Sequence, residues 1–178
     1  EKNNFYRYNF FFANHLIEKG KFEEAKRIIN LTSKKFPRNL LINQLGENLK
    51  NGKKNKNEFT CKETQDILAE ILYAFANALS TQQSYKLSNF YISLSKFLNP
   101  NFLSYDALLA ENFVMLEKYN KAEKIYKKLS RTGSFYEWHS SKAIASILDE
   151  QNKKEEAINY FSQVYKKINK TIFRTFDF

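Results

Sequence analysis

Residues 109–126 read LAENFVMLEKYNKAEKIY, and four positions in this stretch are found again in three other parts of the chain. Two of the four hold small residues, Ala110 and Ala122, and two hold bulky ones, Phe113 and Tyr126. Each of these four residues has three counterparts, which lie 97 and 34 residues before it and 35 residues after it. They are Ala13, Ala76 and Ala145; Ala25, Ser88 and Ala157; Leu16, Leu79 and Leu148; and Ile29, Ile92 and Phe161.

A fixed period of about 34 residues is typical of helical repeat arrays. Two helices joined by a short turn approach to about 8–10 Å only where small side chains stand at the crossing, which explains the alanines. The bulky residues then fill the space between successive pairs, because a single pair cannot bury its apolar face alone. The pattern predicts an all-α fold, an α-solenoid of antiparallel helix pairs.

The rest of the chain indicates about nine helices. Only four Gly and two Pro interrupt the 178 residues, and no sustained alternation of apolar and polar residues predicts a strand. Apolar spacing and turn residues together predict helices at about 6–19, 22–36, 40–50, 61–81, 84–98, 103–117, 120–131, 136–150 and 153–169. Thr60 and Glu63 have the spacing of a capping box at the start of the fourth helix.

These residues resemble the tetratricopeptide repeat (TPR) family, in its bacterial type. The large-then-small pair in the first helix of each TPR repeat is matched by Phe12-Ala13, Phe75-Ala76, Leu109-Ala110 and Ile144-Ala145. The entry to the second helix is matched by GKFEEA at 20–25, KYNKA at 118–122 and NKKEEA at 152–157. Pro37 and Pro100 match the terminal proline of the family's repeat. The resemblance implies a right-handed superhelix.

The same positions set the repeat boundaries. We expect one array over residues 1–178, with repeats at about 6–39, 40–68, 69–102, 103–137 and 138–171 and a tail at 172–178. The second repeat is degenerate, since residues 51–60 are mostly polar or charged without periodicity, and we interpret them as an exposed loop in place of a second helix. A basic contact patch is the alternative for this loop.

The chain is strongly basic, with a formal net charge of +10. A basic surface suits nucleic acid, anionic lipid or an acidic partner. However, Lys outnumbers Arg and is spread along the whole chain, whereas phosphate-binding proteins more often concentrate Arg. We therefore expect a non-catalytic scaffold or adaptor that binds another protein, with nucleic acid disfavoured. A basic helical-repeat protein that binds RNA or an anionic surface is the alternative.

No catalytic or metal-binding pattern stands out. Cys61 is the only cysteine, and His15 and His139 lie far apart without ligand-spaced neighbours. His139 and Ser140 do not suggest a catalytic pair, because adjacent side chains on a helix point apart. No apolar stretch reaches the roughly 18–20 residues that span a bilayer. We expect no enzyme activity, no cofactor and no transmembrane segment, and the compartment is left open between cytoplasm and periplasm.

The resemblance also implies that a partner binds the concave face, on the exposed side of the first helix of each repeat. The residues on that side are Arg7, Phe10 and Asn14, then Tyr73 and Asn77, then Glu111 and Met115. Asn14 and Asn77 occupy equivalent positions, and an amide can both donate to and accept from a peptide backbone. The hypothesis is a groove that holds an extended peptide or a helix of a partner protein.

The tail is unusually apolar for a free end. An uncovered end of a repeat array is poorly soluble unless it is capped. Three alternatives are open: the tail packs back on the last helix pair, it begins a further repeat, or it mediates self-association through Phe173 and Phe176.

Overall fold

The computed structural model describes residues 6–53 and 59–167, and all regular secondary structure in these two ranges is α-helical. Its helices are α1 (Tyr6–Glu18), α2 (Phe22–Lys35), α3 (Leu40–Lys50), α4 (Thr64–Thr81), α5 (Tyr85–Leu98), α6 (Ser104–Met115), α7 (Tyr119–Leu129), α8 (Ser134–Glu150) and α9 (Lys154–Lys167). The prediction of an all-α fold with about nine helices is confirmed, and the arrangement is consistent with an α-solenoid. The predicted tail, the end of the last repeat and residues 54–58 of the predicted loop lie outside the described residues.

Four pairs of consecutive helices form hairpins: α1–α2, α4–α5, α6–α7 and α8–α9. Successive elements stack through contacts of α2 with α3, α5 with α6, and α7 with α8. The small residues stand where the pattern predicts, since Ala13, Ala76 and Ala110 are fully buried. The facing positions Ala25, Ser88 and Ala122 are also fully buried. At the α4–α5 crossing the Ser88 hydroxyl donates to the Ala76 carbonyl at 2.7 Å, so this contact is both close and polar.

Ala145 departs from this pattern because it is only half-buried, while its neighbour Ile144 and nearby Ile147 are buried. The α8–α9 hairpin is the last one in the described ranges, and none of the described helices stacks on its far side. The fourth crossing is therefore less enclosed than the other three.

The turns inside the four hairpins share one backbone geometry. Gly20, Gln83, Glu117 and Asn152 all have positive φ, between 56° and 73°, and they repeat with the same 63-, 34- and 35-residue steps as the packing positions. The N–H of the following residue donates to a carbonyl five residues back at 2.8–2.9 Å, which is the Schellman arrangement of a helix end. Those carbonyls belong to Leu16, Leu79, Phe113 and Leu148. The repeat is thus present in the backbone as well as in the side chains.

The predicted capping box is wrong, because α4 begins three residues later than expected and Glu63 makes no side-chain cap. Instead, the Thr60 N–H donates to Asp66 Oδ2 at 2.7 Å, and Asp66 Oδ1 accepts from Asn99 Nδ2 at 2.8 Å. Asp66 lies in the first turn of α4, where the helix dipole favours a negative charge. Residues 51–53, 59 and 60 form no helix, in agreement with the predicted loop, and residues 61–63, which were predicted to be helical, extend it.

The helices do not form a simple linear succession, because α3 packs against α8 as well as against α1 and α2. Leu41 lies in the apolar cluster built mainly by α4–α6, and Leu40 packs against the clusters of α6–α8 and of Trp138. The first three helices therefore fold back onto the first helices of the later hairpins.

The contact between α3 and α8 also caps the N-terminus of α8. Gly133 provides no side-chain cap for that helix. The Phe135 N–H donates instead to Gln44 Oε1 of α3 at 3.1 Å, and the Ser134 hydroxyl donates to the Glu47 carboxylate. A helix N-terminus leaves N–H groups unsatisfied and favours negative charge. Helix α3 supplies both an acceptor and a negative charge, from side chains 87–91 residues earlier in the chain.

Candidate partner-binding site

The side of α1 that was predicted to face a partner lies against α4 and α6. The Arg7 guanidinium forms a bidentate ion pair with Glu70, with both N–O distances at 2.5 Å, and donates to the Ser104 hydroxyl. Its central carbon lies 4.1 Å from the centre of the Tyr73 ring. Burial by itself lowers the pKa of Arg7, but the hydrogen bond to Glu70 and the surrounding acidic groups outweigh burial, so the net shift is upward. Burial also raises the pKa of Tyr73 to about 12.

Aromatic rings surround this ion pair. Phe10 stacks on Phe102 with ring centres 5.9 Å apart, and Phe11 stacks on Phe59 at 4.1 Å. Of the seven predicted binding residues, Arg7, Phe10 and Tyr73 thus meet in one intramolecular contact, which we call the Arg7 cluster. In this structure the cluster occupies the place where the concave groove was predicted.

The other four predicted residues lie outside the Arg7 cluster. Asn14 is half-buried and lines a cavity of about 630 Å³ between α1 and α4, whose walls include Phe12 and Ile71. Asn77 is exposed on α4, and Glu111 and Met115 are exposed on α6. Their positions on the surface leave them accessible to a partner.

Glu111 lies near His139 of α8. The distance from Glu111 Oε1 to His139 Nε2 is 3.7 Å, too long for a hydrogen bond. Burial, and secondarily the charge of Lys142, lowers the pKa of His139 to about 4, so its imidazole is neutral at pH 7. Surrounding protein raises the pKa of Glu111, but half of that side chain is exposed and water screens its charge. Within the described part of the chain, no group of three or more His, Cys, Asp or Glu side chains is arranged to hold a metal ion.

A larger cavity, of about 820 Å³, runs between α2 and α3. Phe22, Lys26 and Ile29 line it from α2, and Gly46 and Leu49 line it from α3. On α2 the lining residues extend from position 22 to position 33, about 16 Å along the axis at 1.5 Å per residue. We call this cavity the α2–α3 slot.

The slot lies beside α3, a helix that belongs to none of the four hairpins. In each hairpin a second helix packs on the first, whereas residues 51–53 and 59–63, the described residues between α3 and α4, form no helix. The floor of the slot is narrow, because a Cβ added at Gly46 would come within 3.0 Å of Ile29 Cγ2. Glycine therefore lets α2 and α3 approach closely and leaves the adjacent surface open.

Charges of both signs gather at one end of the slot. Glu18 ends α1, Glu23 lies in the first turn of α2, and Lys50 and Lys53 lie at the end of α3. Lys26 adds a further positive charge from α2. A ligand that fills the slot would meet both acidic and basic side chains at this end.

The sequence contained a signal for this slot that our sequence interpretation did not use. A first helix at 40–50 followed by a polar loop means that the surface normally covered by a second helix is left uncovered. Ile29 was assigned to the core from its periodic position, and it is indeed buried, but it also forms part of the slot wall.

No protein-family model matches this chain, and no curated protein matches its sequence. The assignment to the TPR family therefore stays a proposal that rests on the repeated residues. No helix in the described ranges combines the length and the apolar character needed to cross a bilayer.

Proposed function

We propose that this protein is a non-catalytic interaction scaffold that binds an amphipathic helix of a partner protein in the α2–α3 slot. The single observation that supports the proposal is a cavity about 16 Å long, with Phe22, Ile29 and Leu49 among its walls, beside a helix that is followed by no second helix in the described residues of the loop. Membership in the TPR family, whose members display helices for recognition, is part of the same proposal.

The dimensions of the slot favour a helix of about three turns. Its length of about 16 Å corresponds to about 11 residues, and the second helices of the other hairpins have 11–14 residues. A helix in a groove is anchored by apolar residues at positions i, i+3, i+4 and i+7, which would contact Phe22, Ile29 and Leu49.

The charges at one end of the slot favour a partner helix that carries both basic and acidic residues at its corresponding end. Basic side chains would pair with Glu18 and Glu23, and acidic ones would pair with Lys50 and Lys53. Such rim pairs contribute more to orientation and association rate than to affinity, because they stay exposed to water.

The test is a selection of 14-residue helical peptides from a display library on the full chain, followed by fluorescence anisotropy with the selected peptides. We expect Phe22→Glu to weaken binding at least about tenfold, or about 1.4 kcal/mol. Leu31→Glu is the matched control, since Leu31 is equally exposed on the same helix but does not line the slot. Equal affinity of the selected peptides for both variants would overturn the proposal.

The basic surface of α7 supports a second candidate function, binding to RNA or an anionic surface. Exposed cations on and next to this helix are Lys118, Lys121, Lys124, Lys127, Lys128 and Arg131. Two of them are neutralised in the structure, Lys127 by Glu123 at 2.5 Å and Lys128 by Asp106 at 3.0 Å. The first proposal is preferred because none of these cations lines either of the two cavities described above.

The two functions respond differently to salt and to mutation. Binding through phosphates weakens steeply as salt rises, whereas apolar binding in the slot does not. Titration of a labelled oligouridylate should therefore give only weak binding. Tight, salt-sensitive binding that is lost in Lys121→Glu/Lys124→Glu and retained in Phe22→Glu would favour the second candidate.

A further inference from the structure

One hairpin carries a large share of the exposed apolar side chains. Eight of the fifteen large apolar residues that are exposed in the described ranges belong to α4 and α5. They are Ile67, Leu68, Ile71, Phe75, Leu87, Phe90, Leu94 and Phe97. Exposed apolar residues are common singly, but a contiguous group of this size indicates an interaction surface.

On α4, the exposed residues lie opposite the contacts with α6. Tyr73 packs on Tyr105 of α6, with ring centres 5.1 Å apart, and the Ser80 hydroxyl donates to Asn112 of α6 at 2.6 Å. At 100° per residue, Phe75 lies on the other side of the helix from both Tyr73 and Ser80.

The same holds for α5. The Lys96 ammonium contacts the Asp106 carboxylate of α6, and Asn89 accepts from Asn112 Nδ2 at 2.9 Å. Leu87 and Leu94 are about 140–180° away from those two residues around the helix. Both helices therefore present apolar residues on the side turned away from α6, and we call this side of the hairpin the end face.

None of the described helices stacks on the end face, because the stack is interrupted before α4. In the later part of the fold, α5 covers the α6–α7 hairpin and α7 covers the α8–α9 hairpin. The equivalent helix before α4 would be the second helix of the degenerate repeat, and the described residues of that loop form no helix. The preceding helix α3 packs against α8 instead.

We infer that a second copy of this chain docks on the end face, with two α4–α5 hairpins packed against each other around a two-fold axis. The charge of the hairpin favours a second copy of the chain over a charged partner. The hairpin carries two acidic residues, Asp66 and Glu70, and two basic ones, Lys86 and Lys96, so its net charge is zero in a chain of net charge +10. Two copies repel each other across most of their surfaces, and the end face is where that repulsion is weakest. A charged partner would find few ion-pairing groups there.

The exposed area also fits a dimer. Phe90 and Phe97 are only about 80–120° from Asn89 and Lys96 around α5 and are left out of this area. Taking about 200 Å² for a fully exposed large side chain, the other six residues expose on the order of 560 Å² at their observed fractions. Two such faces would bury on the order of 1,100 Å², slightly more than the roughly 1,000 Å² in total that a specific interface needs. The area of the end face therefore suits a weak dimer.

Sedimentation velocity of the full chain, from about 1 to 100 μM, tests this inference, because a dimer with a micromolar dissociation constant dissociates within this range. We expect a monomer–dimer equilibrium whose dissociation constant rises at least tenfold in Phe75→Glu and in Leu94→Glu. Both side chains are partly exposed, so the variants should fold, and circular dichroism checks this. Leu31→Glu is the control with the same chemical change on an exposed site of α2, and it should leave the dimer unchanged.

Three results would overturn the inference. One is a wild-type monomer throughout the range, and another is a series of species larger than the dimer, which a two-fold contact cannot produce. The third is a dimer that survives Phe75→Glu and Leu94→Glu but is lost in Phe173→Glu/Phe176→Glu, since the tail would then hold it. The proposed function fails separately, because Phe22→Glu affects peptide binding and not the dimer.

Discussion

At the scale of single residues, buried polar side chains connect helices that are distant in sequence. Asn112 is fully buried and joins three helices: it accepts from Ser80 at 2.6 Å and donates to Ser88 at 2.7 Å and to Asn89 at 2.9 Å. Arg7 does the same between α1, α4 and α6. Arg7 and Tyr73 were predicted to bind a partner from their positions in the repeat. The sequence could not predict that they contact each other, because this contact depends on how α1 packs against α4.

The Arg7–Glu70 pair should be sensitive to removal of one partner. Glu70→Gln leaves a buried guanidinium without its counter-charge, and we expect a loss of about 3 kcal/mol in the free energy of unfolding, measured by urea denaturation. The double variant Arg7→Met/Glu70→Met removes both charges and should recover most of that loss. A single-variant loss below about 1 kcal/mol would mean that the pair behaves like a solvent-exposed one.

Stability should fall as the pH is lowered through the range set by His139. Its pKa is about 4 in the folded protein and about 6.5 in the unfolded chain, so the unfolded chain binds more protons between these values. We expect a loss of up to about 2 kcal/mol between pH 7 and pH 5, with the raised pKa of Glu111 acting in the opposite direction.

Urea denaturation at both pH values, with wild type and His139→Gln, measures this contribution of His139. The variant should show a smaller pH dependence than wild type. An identical pH dependence in the two proteins would assign the effect to other groups.

At the scale of the elements, the four helical hairpins follow closely from the sequence. Small residues at the crossings predicted the pairs, and Gly20 marked the first turn. The turns at Gln83, Glu117 and Asn152 have the same left-handed backbone without glycine, so residue type alone did not mark them. Their position in the repeat did, because the backbone geometry recurs with the same spacing as the packing residues.

Replacement of one of these residues by glycine should stabilise the protein. Glu117 has φ of 56°, which strains any residue with a Cβ. We expect Glu117→Gly to raise the free energy of unfolding by about 0.5–1 kcal/mol. Glu117→Ala keeps the Cβ and should give no gain, and thermal melting of the two variants compares them directly.

The helix crossings should tolerate enlargement to different degrees. Ala110 is fully buried, so Ala110→Phe should overpack the crossing and cost about 1–3 kcal/mol. Ala145 is only half-buried at the equivalent position, and Ala145→Phe should cost less. Equal losses in chemical denaturation would show that the fourth crossing is as tightly enclosed as the third.

At the scale of the whole molecule, the contact between α3 and α8 was not predicted. The repeat pattern describes only neighbours, and a linear array would place α3 beside α4. No helix in the described residues of the loop after α3 holds it in such a position, and the apolar side chains of Leu40 and Leu41 pack against the later hairpins instead.

A double-mutant cycle can measure how strongly this contact holds the molecule together. A Cβ at Gly133 would overlap the side chain of Gln44, which is buried and accepts from the Phe135 N–H. We expect Gly133→Ala to cost about 1–2 kcal/mol in the wild type and much less in Gln44→Ala, a coupling of at least about 0.5 kcal/mol. Additive losses in urea denaturation would show that the two positions do not interact.

The cap that α3 provides to α8 also restricts how the number of repeats can change. In a linear array each repeat touches only its neighbours, so a unit can be gained or lost and the rest still stacks. Here the Gln44–Phe135 hydrogen bond spans 91 residues and holds the chain in a closed arrangement. An inserted or deleted hairpin between these residues would move α8 out of reach of α3. The number of hairpins between Gln44 and Phe135 therefore cannot change without loss of this contact.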